Sequence, residues 1–237
     1  MIVPSMTFQE IHEELIKDAL DVLIKVFSFR KQFDKTVLKS TRYPVIKSYD
    51  FITRERKNKC NVTFRAQKRS QRRNPIIGIY AVFDRPEGKY AVSPKMDFTD
   101  ITIYPPHFFK RYRERILKDD SITNSKLIKL YFKDDWGFKG AIVDKNFEAV
   151  CRSCEDFSPD EKISFVAALT QGYCFGENQG TVCILKTIIS EEMLFKKQKK
   201  VFKSLQETFH ETNTERYGKI LYPYLSMSGL NAETKFA

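Results

Sequence analysis

From Phe8 to Phe33, apolar residues return every three or four positions: Phe8, Ile11, Leu15, Ala19, Val22, Val26, Phe29 and Phe33. Only an α-helix returns to one face at that period, so the spacing predicts an amphipathic helix over about 7–36. Thr7 and Glu10 have capping-box spacing at its start, which satisfies two otherwise free amides. Leu20, Leu23 and Phe27 widen the stripe and imply that the helix packs on something large. The remainder of the chain has to supply that surface.

Beyond the break at Lys39 to Pro44 the period changes to two. "VIKSYDFIT" and "CNVTFRAQ" alternate as half-buried strands do. "IIGIYAVF" is continuously apolar, as a central strand is. "DRPEGK" turns the chain into "YAVSP", and "TDITIY" is a further short strand. "SKLIKLYF" has helical spacing. Two more hairpins follow, "GAIVD" with "FEAVCRS", and "ALTQGYCFG" with "TVCILKTII". Ser190 has the residue type of an N-cap, ahead of a helix with Leu194, Val201, Phe202, Leu205 and Phe209 on its inner face. The pattern is α+β: a long N-terminal helix packed on a mostly antiparallel sheet of hairpins, with a C-terminal helix. It divides into an N-terminal helical segment (1–40), an α+β core (41–212) and a tail (213–237), one structural domain overall.

Lys and Arg outnumber Asp and Glu by 41 to 30, a net charge of +11. Such an excess favours a polyanionic partner, RNA or DNA before a membrane surface. No apolar run reaches the roughly 20 residues that span a bilayer, and the N-terminus turns acidic where a signal peptide stays apolar. Five cysteines, an odd number, suit reduced thiols. These features point to the cytoplasm.

The charge is concentrated. Residues 54 to 73, "RERKNKCNVTFRAQKRSQRR", hold nine cations and one Glu: Arg54, Arg56, Lys57, Lys59, Arg65, Lys68, Arg69, Arg72 and Arg73. Nine like charges in so short a run repel one another unless an anion is near, so the segment is expected to contact phosphates. Phe64 is its only aromatic, so base stacking is not expected. "KKQKKVFK" (196–203) reads as the solvated face of the last helix.

"YPPHFFKRYRER" (104–115) carries the sharpest chemistry. His107, Arg111 and Arg115 are spaced four and four, which stacks them along one ridge of a helix that Pro105 and Pro106 start cleanly. A neutral histidine can take the proton from an attacking 2′-hydroxyl. Arginine forks can hold the charge that builds on phosphorus. Glu177, Tyr173 and Tyr131 are candidates for the second acid, and nothing selects among them. "HFFKRYRER" resembles the His-x3-Arg-x3-Arg helix of small ribonuclease toxins with the barnase, colicin and RelE-like fold. The resemblance covers about a dozen residues directly and implies a single-domain, metal-independent, toxin-like endoribonuclease. It leaves this chain more than twice the length of a minimal member, with no matched second catalytic residue in the last strands. "GYCFGENQG" onward also resembles bacterial proteins that carry no implied activity.

Other motifs are incomplete. "CRSC" (151–154) lacks a second ligand pair, with Cys174 and Cys183 a hairpin apart. "HEEL" has Ile16 where a zincin needs histidine, so His12 reads as a helix-surface residue. Asp134 and Asp135 lack a third carboxylate. No metal or cofactor is therefore expected. The leading reading is a nucleic-acid-interacting protein, concretely an RNase with His107 as base and Arg111 and Arg115 as stabilisers. The alternatives are a non-catalytic nucleic-acid-binding module, and a scaffold that dimerises or binds a protein through helix 7–36, disrupted by charge at Val22.

Overall fold

The long helix is capped as its spacing requires. In a computed structural model that describes residues 1–142 and 163–217, α1 runs Phe8–Lys39, with Thr7 and Glu10 closing a capping box. Its 32 residues make a rod about 48 Å long at 1.5 Å per residue. The described strands form one nine-stranded sheet, ordered β1-β2-β3-β4-β5-β9-β8-β7-β6. They are β1 Val45–Ile52, β2 Lys59–Ala66, β3 Ile76–Arg85, β4 Gly88–Pro94 and β5 Ile101–Tyr104. The second group is β6 Phe138–Ile142, β7 Ile163–Leu169, β8 Gly172–Gln179 and β9 Val182–Ile189. Every neighbouring pair is antiparallel except β5 and β9, which join the two groups in parallel.

Helices cover both faces. On one face α1 lays Ile11 and Leu15 over β3, β4, β5 and β9, and Val22, Val26, Phe33 and Val37 over β1 to β3. The last helix, α4 (Lys196–Tyr217), sets Phe202, Leu205 and Phe209 against β7 and β8. The opposite face holds α2 (Pro106–Tyr112) and α3 (Asn124–Lys133). There Phe108, Phe109, Tyr131 and Phe132 gather around Tyr104 and Tyr80. Tyr80 and Phe132 stack at 4.1 Å, and Tyr104 meets Phe108 edge-on at 5.4 Å. Each such pair adds about 1 kcal/mol beyond the area it buries.

Five expectations need correction. Leu20 and Phe27 do not widen the inner stripe of α1: they are 72% and 61% exposed, on its outer side. Val22, conversely, is buried at 1%, so it belongs to the core rather than to an outer interface. "ALTQGYCFG" is not one strand, because Thr170 and Gln171 turn β7 back into β8. Gly172 takes φ +151° there, and a Cβ would lie 2.3 Å from the Ile189 carbonyl oxygen, so only glycine fits the turn. Ser190 precedes a short 3₁₀ turn, Glu191–Met193, without a side-chain cap; α4 begins at Lys196, where Gln198 accepts from the Phe195 amide at 2.8 Å. Because α4 continues to Tyr217, residues 213–217 are helical rather than tail. The strand expected in "FEAVCRS", with Cys151 and Cys154, lies outside the described residues.

Candidate nucleic-acid interface

His107 is exposed and lines an open cleft of about 630 Å3 with Glu87, Lys110, Arg113, Glu114, Asp120 and Asn124. The predicted ridge does not form beside it. After Tyr112 the helix widens into a π turn, Arg113–Leu117, closed by the Lys118 amide on the Arg113 carbonyl at 2.8 Å. A π turn holds more residues than an α turn, so residues after Tyr112 are rotated away from the positions a continuous α-helix would give them. Arg115 therefore swings inward and is 9% exposed. Its Nη1 donates to Thr187 Oγ1 at 3.3 Å and to the Ile188 carbonyl at 3.2 Å. Arg111 Nη1 pairs with Glu114 at 3.1 Å. The histidine faces solvent in a mixed-charge cleft while one arginine is a rivet to β9.

The candidates for the second acid lie elsewhere. Glu177 is 6% exposed and pairs with Lys186 at 2.8 Å. It stands opposite Ile184 in the β8–β9 ladder, and Ile184 packs with Ile11 and Leu15 of α1. Cross-strand partners share a face, so the sheet separates Glu177 from α2. Tyr173 donates to Gln206 of α4 at 2.5 Å, and Tyr131 is buried among the rings below α2.

The basic segment also comes apart. Its centre is the buried strand β2. Arg65, expected to meet phosphate, is 2% exposed. Its Nε donates to the Lys133 carbonyl at 2.9 Å, its Nη2 donates to the Phe132 carbonyl, and its guanidinium lies 5.4 Å from the Trp136 ring centre. It thus caps the negative end of α3. Asp134 lies beside it, 1% exposed; burial raises its carboxyl to about 6 although Gln171 and Arg65 oppose this. Phe64 is fully buried, stacked on Phe33 at 5.4 Å.

At the 53–58 end, acids of α1 meet the cations. Arg56 Nη1 pairs with Glu14 at 3.0 Å, the Arg54 amide donates to Asp21 at 2.6 Å, and Asn58 donates to Asp18 at 2.7 Å. Burial opposes ionisation of Glu14, but hydrogen bonds from the N-terminal ammonium and Arg56 outweigh it and hold the carboxyl below its usual value. Lys57 and Lys59 are exposed at this end. His12, expected at the helix surface, is 3% exposed, with Nδ1 2.9 Å from Thr181 Oγ1 and Nε2 2.8 Å from the Phe98 carbonyl. It ties α1 to two loops.

The other end accumulates charge. Val45 of β1 pairs with Ala66 of β2, so the end of α1, the start of β1 and the 3₁₀ turn Arg69–Arg73 converge. Residues 30–47 and 67–73 hold ten cations and one acid, Asp34. Arg72 pairs with Asp34 at 2.9 Å. Lys31, Lys35, Lys39, Arg42, Lys47, Lys68, Arg69 and Arg73 are all exposed. Sequence reading missed Lys31, Lys35, Lys39, Arg42 and Lys47. Their signal was the four-residue spacing of the three lysines, which only strand pairing connects to Lys68 and Arg69.

The fold and this surface define an α+β protein with a strongly basic pole. A comparison with models of known protein families finds none that matches, and comparisons with characterised proteins and with solved structures find no match either. No described helix is long and apolar enough to cross a membrane.

Proposed function

We propose that the protein binds nucleic acid through its phosphodiester backbone, as a non-catalytic module, using the pole of Lys35, Lys39, Arg42, Lys68, Arg69 and Arg73. One observation carries this reading. Ten cations minus one acid leave +9 on residues 30–47 and 67–73, against +11 for the whole chain. Converging flexible cations release counterions when they meet phosphates, the main source of sequence-independent affinity. The buried position of Phe64 leaves the basic segment without an exposed ring to stack bases, so backbone contact rather than base readout follows. Strand cleavage is not part of the proposal, because Arg111 and Arg115 are engaged by Glu114 and by β9.

The test is fluorescence anisotropy with labelled RNA and DNA, single- and double-stranded, over a salt series. Affinity should fall steeply as salt rises, for every sequence tested. Affinity independent of salt, or no binding at low salt, would refute the proposal.

A further inference from the structure

The outer side of α1 carries a second apolar stripe that lies outside the hydrophobic clusters of the described residues. Ile16, Leu20, Ile24 and Phe27 are 47%, 72%, 47% and 61% exposed, and Leu23 between them is half-buried. At 100° per residue these five fall within an arc of ~100°, facing away from the sheet. Together they expose roughly 400 Å2 of apolar surface, a size at which patches on monomers are often functional. Charge is divided along the same helix. Glu10 and Glu13 precede the stripe, and Arg30, Lys31 and Lys35 follow it; Glu13, Lys31 and Lys35 are exposed.

We infer that this stripe is the interface of a homodimer in which two α1 helices pack antiparallel. A two-fold axis level with Val22 sets Leu20 of one copy opposite Ile24 of the other, since both pairings sum to the same position. The same axis brings Glu13 of each copy to Lys31 of the other, which makes two symmetric ion pairs. Parallel packing would place Glu13 on Glu13 and Lys31 on Lys31, so the charges select the antiparallel form. A second copy of this chain is therefore complementary in both apolar pattern and charge. With the flanking charges included, the pair buries about 1,000–1,200 Å2, near the lower limit for a specific interface, so association depends on concentration. The inference goes beyond phosphate binding and does not depend on it.

Sedimentation of the full chain at low and high micromolar concentration tests it. The mass should rise from 27.8 kDa toward twice that value. Leu20→Glu and, independently, Phe27→Glu should leave thermal unfolding unchanged and hold the chain monomeric. Glu13→Lys should weaken association at least tenfold, and Glu13→Lys with Lys31→Glu should restore it. A wild-type monomer at every concentration overturns the proposal and assigns the stripe to another occupant. A dimer indifferent to both glutamate substitutions overturns it as well, and a charge swap without recovery rules out the antiparallel form.

Discussion

The two ends of β2 begin with similar sequence and end with opposite surfaces. Arg54 and Arg56 at one end meet Asp21 and Glu14, which α1 presents about two helical turns apart. Lys68, Arg69 and Arg73 at the other end lie beside further cations, from the last turns of α1 and the start of β1, with Asp34 the one acid of those segments. Between them Arg65 is withdrawn from solvent altogether. Charge counted along a chain is therefore not charge on a surface. The acids of a long helix neutralise whatever strand end they pass, and here they stop at Asp34.

Substitution should separate the three zones. The largest effect is expected at the buried centre. Arg65→Met removes two charge-assisted hydrogen bonds to carbonyls, at about 2 kcal/mol each, so denaturant unfolding should show a loss of about 4 kcal/mol. Its neighbour Asp134 should respond in the opposite sense. Its folded carboxyl titrates at about 6 rather than 3.8, so the folded state binds the proton more tightly. Stability then falls as pH rises from 3.8 toward about 6. At about 1.4 kcal/mol per pH unit, Asp134→Asn should gain up to about 3 kcal/mol at neutral pH and nothing in strong acid.

The pole should affect binding without affecting stability. Lys68→Glu, Arg69→Glu and Arg73→Glu combined should weaken binding at least ~100-fold and lower the salt slope by about 3. Unfolding should be unchanged. The smallest effect belongs to the neutralised end. Glu14→Gln should lose about 1 kcal/mol of stability at neutral pH, since Arg56 is partly screened by solvent. Because ionised Glu14 is the favoured form when folded, this difference should vanish as pH falls below the ordinary carboxylate range. Affinity for nucleic acid should change little.

Much of the fold was legible because periodicity reports burial directly. The 3.6-residue stripe located α1, and the alternation in "VIKSYDFIT" and "CNVTFRAQ" located β1 and β2. The turn at Thr170 was hidden because the apolar run continues through both strands, and only Gly172 marks it. The stripe of Leu20 and Phe27 was misassigned since a helix with two apolar faces has no sequence signal for which face is inside. The candidate site was less legible. The spacing of His107, Arg111 and Arg115 presumes an α-helix throughout, and the π turn at Arg113 removes that premise. The basic pole depends on the pairing of Val45 with Ala66, a contact that local composition does not encode.

The most direct measurement is lysine modification of the folded protein, with and without an oligonucleotide, read by mass spectrometry. Lys35, Lys39 and Lys68 should become protected on binding while Lys57 and Lys59 react as before. Protection of Lys57 and Lys59 with Lys68 left open would contradict the account, because the neutralised end would then be the one that holds phosphate.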